Sequence, residues 1–192
     1  MNLPILVAAL STSLILLAAG AEHVVAQGKL RSSLRVHGLF GPRGIGPVVI
    51  ALPALELITA AGALGSVAVA NQNWLVASLT LQTVLFGSFA GYLAMVMRAG
   101  KAGVPCACGL AEVPVGRAAV ARAGGLALLS AVCALGATTA AAPLTLPQGA
   151  DALVTGLAAV TFAVLLVILA SARRVEPSTT DQQAGQQEVG SA

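Results

Sequence analysis

Five long apolar runs constrain this chain more than any other feature. They extend from about Leu3 to Ala21, Pro47 to Ala70, Trp74 to Met97, Ala118 to Ala142 and Ala152 to Ala172. A helix needs about 20 mostly apolar residues to cross the hydrocarbon core of a bilayer. Backbone N–H and C=O groups find no water there, so each run must satisfy its own hydrogen bonds as a helix. Charge content excludes the alternative of a soluble fold. Only 9% of the residues are charged, against roughly 25% in soluble domains, too few to wet a surface. The expectation is an all-α, polytopic transmembrane bundle of about five helices over residues 1–174, in the cell membrane. A polar tail, 175–192, has no apolar period and is expected to be disordered. Aromatics at 3% and the lack of a dense basic stripe exclude a nucleic-acid partner.

The connections carry further information. Asn71, Gln72 and Asn73 form a short polar turn between the second and third runs, and Pro143, Pro147, Gly149 and Asp151 form a breaker cluster before the fifth. Ala19-Gly20-Ala21 has the small-x-small look of a cleavage site. No Lys or Arg precedes it, however, and the run exceeds a usual signal core of about 7–15 residues, so a retained helix is expected. Lys29, Arg31, Arg35 and Arg43 follow the first run; Arg98, Lys101 and Arg117 precede the fourth; Arg173 and Arg174 follow the fifth. The other two connections hold no basic residue. Under the positive-inside rule this alternation places the N-terminus outside and the C-terminus in the cytoplasm. Between the first two runs, Leu30, Leu34 and His37 recur at helical spacing. They allow either an interfacial helix over Lys29–Phe40 or a connecting coil. Gly41 to Gly46 reads as a turn.

Cys106-Ala107-Cys108, framed by Pro105 and Gly109, is the sharpest chemical feature. Two thiols one residue apart can join only across a bent backbone, and the flanking Pro and Gly supply a stiff bend and a permissive one. A ring this small is expected to be strained and therefore labile. Arg98 and Lys101 lie in the same connection and favour the reactive thiolate. The residues alone leave three readings open: a redox pair, two incidental small residues, and a soft-metal site. One such cluster falls short of the four ligands of a structural zinc site, and no metal is expected.

Glu56 is the one acidic residue inside a span, and an intramembrane carboxylate is a functional candidate by default. At about 1.5 Å per residue it lies roughly 14 Å from the cytoplasmic start of its run, in the same half as the cysteine pair. It could relay protons or hydrogen-bond a quinone-like acceptor, or be a neutral acid bonded to a neighbour such as Ser88. No cofactor is required by these residues, a quinone being the one candidate. Cys133 lies roughly 24 Å from the cysteine connection by the same rise and reads as a small apolar filler. Glu22 and His23 read as interface markers, Gln82 and Thr83 as interhelical hydrogen-bonding residues, and Gly87 to Gly91 as a small-residue face for packing within the bundle. Trp74 and Tyr92 read as interfacial or packing residues.

In this order the elements resemble the methylamine utilisation protein MauE family, within a wider group of DoxX-like redox-associated membrane proteins. Gly28-Lys29-Leu30-Arg31, Leu52-Pro53-Ala54-Leu55-Glu56-Leu57, Val104-Pro105-Cys106-Ala107-Cys108-Gly109 and the basic segment Arg117 through Arg122 carry the resemblance, over about residues 5 to 140. Where Leu110 or its neighbour stands, that family often has an aromatic residue. The resemblance implies thiol-disulfide chemistry in maturation of exported proteins, with Cys106 and Cys108 as the redox pair and Glu56 an intramembrane acid of unknown duty. Pro105, Gly109 and Lys101 are read as supporting residues from their place beside the pair. It also implies a thioredoxin-like partner and an exported disulfide-containing client, as in methylamine dehydrogenase maturation. A non-catalytic membrane scaffold is the competing reading. Disulfides form outside the cytoplasm, whereas the charge pattern places the pair inside. Either the pair passes cytoplasmic reductant across, or its loop dips into the bundle, or the orientation is inverted; reductant delivery needs the fewest extra assumptions.

Overall fold

A computed structural model describes residues 3–106, 113–139 and 150–172. Six α-helices make up nearly all of it: α1 (Leu3–Val25), α2 (Gln27–His37), α3 (Pro42–Ala68), α4 (Gln72–Arg98), α5 (Arg117–Thr139) and α6 (Ala150–Ala172). Four of these, α1, α3, α4 and α5, are long and apolar enough to cross a membrane, and α6 carries a shorter apolar stretch, Val154–Leu165, among its described residues. The chain is a multi-pass, all-α membrane protein. The polar tail lies outside the described residues, as does most of the breaker cluster (Pro143, Pro147 and Gly149).

Several boundaries differ from the expected ones for local reasons. α3 starts at Pro42 rather than Pro47, so the stretch read as a turn is instead the helix's opening. Pro42 occupies the first turn after the extended Gly41, where a missing N–H costs nothing and the ring pre-sets φ. α1 runs on to Val25, past Glu22 and His23, because His23 is buried against α3 rather than left at an interface. The 29–40 segment is helical over Gln27–His37 and ends at Gly38 in the left-handed conformation (φ 65°), whose N–H donates to Leu34 O. Asn71 caps α4 by accepting from Trp74 N at 3.1 Å. α4 pairs most extensively with α5, and α1 packs against α3, α5 and α6.

Three levels of packing run along the bundle. At one end Leu6, Ala9, Ala63, Leu75, Leu79, Cys133 and Ala134 form a cluster. In the middle Leu16, Ala60, Leu85 and Phe86 pack together. Here the buried Gln82 of α4 donates to Ser13 of α1 at 2.8 Å, an interhelical bond of the expected kind. Thr83 instead bonds Leu79 O in its own helix. At the opposite end α2 folds back on α3 through Leu30, Leu34, Ile45 and Val49. The small face of α4 is not used inside the bundle as anticipated: Gly87, Ser88 and Gly91 are exposed, and a Cβ at either glycine would meet nothing within 4 Å. Phe86 and Leu85, on the opposite side of the helix, do the packing instead.

Candidate functional site

The cysteine segment lies at the end of the bundle where α2, the end of α4 and the start of α5 meet. Gly100 and Gly103, both at positive φ, end α4 and turn the chain. A short antiparallel ladder follows, pairing β1 (Pro105–Cys106) with β2 (Val113–Pro114). Gly103 N donates to Val115 O and Val115 N to Val104 O, both at 2.8 Å, so the ladder is closed at its base. Cys106 is 6% exposed and packs with Leu93, Val96, Val115 and Ala119. It is disulfide-bonded, whereas Cys133 is a free, buried thiol in the packing cluster at the far end. Cys108 and Gly109 lie outside the described residues.

His37, at the last turn of α2, is the residue that holds this segment. Its Nε2 lies 3.2 Å from Pro105 O and its Nδ1 2.7 Å from the Tyr92 hydroxyl. A carbonyl only accepts, so Nε2 carries the proton; a neutral ring then accepts at Nδ1, and Tyr92 donates to it. Burial pushes the imidazole below its ordinary value, the Lys101 ammonium pushes it the same way, and the bond to Pro105 opposes them. Tyr92 also stacks on Phe40, ring centroids 5.7 Å apart. Tyr92 therefore does more than pack. Neither it nor His37 stands out in the sequence as a site residue; the one signal was His37's place on the apolar face of α2.

Lys101 Nζ donates to Val36 O at 3.0 Å and His37 O at 2.8 Å. These are open carbonyls at the end of α2, where a cation is favoured. Its contacts thus join the cysteine segment to α2.

Glu56 is 1% exposed, and its Oε2 lies 2.7 Å from His23 Nδ1. Ser88, the neighbour anticipated from depth, is exposed and bonds Val84 O in its own helix. Depth placed Ser88 level with Glu56 but could not place it on the facing side of α4. Glu56 Oε1 has no hydrogen-bond partner. Gly20 makes the pair possible: a Cβ there would lie 3.0 Å from Glu56 Cβ, so the bare glycine lets α1 and α3 approach closely.

The sequence model described as methylamine utilisation protein MauE matches residues 1–138. The chain belongs to the MauE family. The match takes in α1 to α5 with both the cysteine segment and the His23–Glu56 pair, and ends before α6. Membership in the MauE family points to a role in methylamine utilisation. No curated protein and no solved structure matches the chain.

Proposed function

We propose that this MauE-family chain is a membrane thiol-disulfide redox protein that supports maturation of exported proteins, by disulfide formation or by supply of reductant. The observation that carries the reading is the state of Cys106: it is disulfide-bonded in a segment pinned by His37, while Cys133 is free. Cys108 is the chain's third cysteine and, in this reading, the other half of the pair. In the reaction a client dithiol and the Cys106–Cys108 disulfide exchange two electrons and two protons, forming the client disulfide and the Cys106/Cys108 dithiol; reductant supply is the reverse. A thioredoxin-like protein is the natural intermediary, because such proteins pass dithiols through mixed disulfides. Basic residues of α2, the start of α3, the end of α4 and the start of α5 support a cytoplasmic position for this end.

The test is thiol titration of the purified protein. Mild reduction should release two thiols that re-form a disulfide in an oxidising glutathione buffer. Cys106→Ser and Cys108→Ser should each abolish that couple and the maturation of a disulfide-containing client, with normal membrane insertion. Full client maturation by the double serine variant would favour the scaffold reading.

A further inference from the structure

A cavity of about 490 Å³ lies between α1, α4 and α5, with α3 at its polar end. Its walls are almost wholly apolar, with Ile15, Leu16, Phe86, Phe89, Leu126 and Leu129 among the side chains that line it. His23, Glu56 and Arg122 supply its polar groups. Among them, Glu56 Oε1 is buried with no hydrogen-bond partner. Leaving a buried carboxyl oxygen unsatisfied is costly, and a ligand group that hydrogen-bonds to it would remove the cost. Leu128 and Val132, also on the wall, are exposed to the lipid-facing side of α5, so a ligand could enter from the bilayer. Leu93 and Ala119 line the cavity and also pack against Cys106. The cavity and the cysteine segment thus share a wall.

We infer that this cavity binds a lipid-soluble quinone, which exchanges electrons with the Cys106/Cys108 pair. The inference rests on the thiol redox reading above and names its electron partner. An isoprenoid tail suits the apolar walls. A quinone ring suits the polar end, where His23, Arg122 and the Glu56 carboxyl can hydrogen-bond its two carbonyl oxygens. The step balances without any further reactant. Two thiols lose two electrons and two protons and form one S–S bond; the quinone gains both and becomes the quinol. The hydrogen-bonded His23–Glu56 pair stands where it can hand a proton to a carbonyl oxygen.

The experiment uses the full-length protein, reduced and freed of reductant, in lipid nanodiscs. A short-chain ubiquinone or menaquinone is added, and quinol absorbance and remaining thiols are followed together. One quinol should appear for every two thiols lost. Glu56→Gln should slow the reaction at least tenfold. Gly125 lies on the cavity wall, and a Cβ there meets nothing within 4 Å, so Gly125→Leu adds apolar bulk at that wall. It should lower the quinone rate at least tenfold relative to glutathione exchange measured on the same sample. A pair that cycles in glutathione buffer but is not oxidised by either quinone would overturn this inference and leave the thiol redox reading standing. Oxidation by quinone that neither variant slows would overturn the assignment to this cavity. A protein with no thiol couple in either assay would overturn both.

Discussion

His37 and Tyr92 hold the cysteine segment through two hydrogen bonds that depend on one protonation state. Tyr92→Phe removes the donor to Nδ1 and leaves a buried acceptor without its partner, so it should cost about 1 kcal/mol of stability, read by thermal denaturation in detergent. His37→Phe removes both bonds and should additionally make Cys106 easier to reduce, read as faster thiol release at fixed reductant. Acid should have a related effect. The folded protein holds His37 below the ordinary value of about 6.5, so the unfolded chain takes up its proton first as pH falls. This contribution to stability is complete above about pH 6.5 and is lost as pH drops through the lowered folded value. Denaturation midpoints should therefore fall between pH 7 and pH 5, and the part due to His37 should be missing from His37→Phe.

Between elements, α1 and α3 approach each other closely at Gly20. Its neighbours there are Glu56 Cβ at 3.0 Å and Leu57 Cγ at 3.1 Å, which belong to the packed stems of side chains on the facing helix. Gly20→Ala should push the helices apart and cost about 1–3 kcal/mol, while lengthening the His23–Glu56 bond. Gly136 in α5 makes an instructive contrast. A Cβ there would meet Ile5 Cδ1 at 2.7 Å, but that atom ends a flexible side chain that can turn aside. Gly136→Ala should therefore cost less, and thermal denaturation of the two variants side by side checks the order. The exposed face of α4 at Gly87 and Gly91 has no such contact to lose, and alanine at either position should leave the melting temperature nearly unchanged.

For the whole molecule, the alternating basic residues require that α2 and the cysteine segment share one side of the membrane. The structure meets that requirement by joining α2 to the segment through His37–Pro105 and Lys101–Val36 contacts. Which side that is can be read directly. In cells treated with a permeant reductant, then washed, an impermeant maleimide should label Cys106 and Cys108 only after the membrane is opened. Labelling of intact cells would invert the topology and place the pair with exported clients. α6 lies beyond the family match yet packs on α1, where Ser11 Oγ donates to Ala159 O at 2.9 Å.

The apolar runs by themselves determined that this chain is a helical membrane bundle, because lipid admits few other ways to satisfy a backbone of that composition. The Pro-Cys-x-Cys segment and the intramembrane Glu56 were also legible, since both residue patterns are rare and chemically pointed. What the chain could not disclose was which partner each polar residue faces. Glu56 meets His23, 33 positions away in sequence, and His37 meets Tyr92 and Pro105, 55 and 68 positions away. Helical spacing fixes a residue's side on its own helix but not the rotation of one helix against the next; that rotation comes from side-chain packing between helices. Tertiary structure alone therefore turned Glu56 from a lone acid into half of a pair on a cavity wall. It likewise turned His37 from one apolar-face residue into the anchor of the cysteine segment.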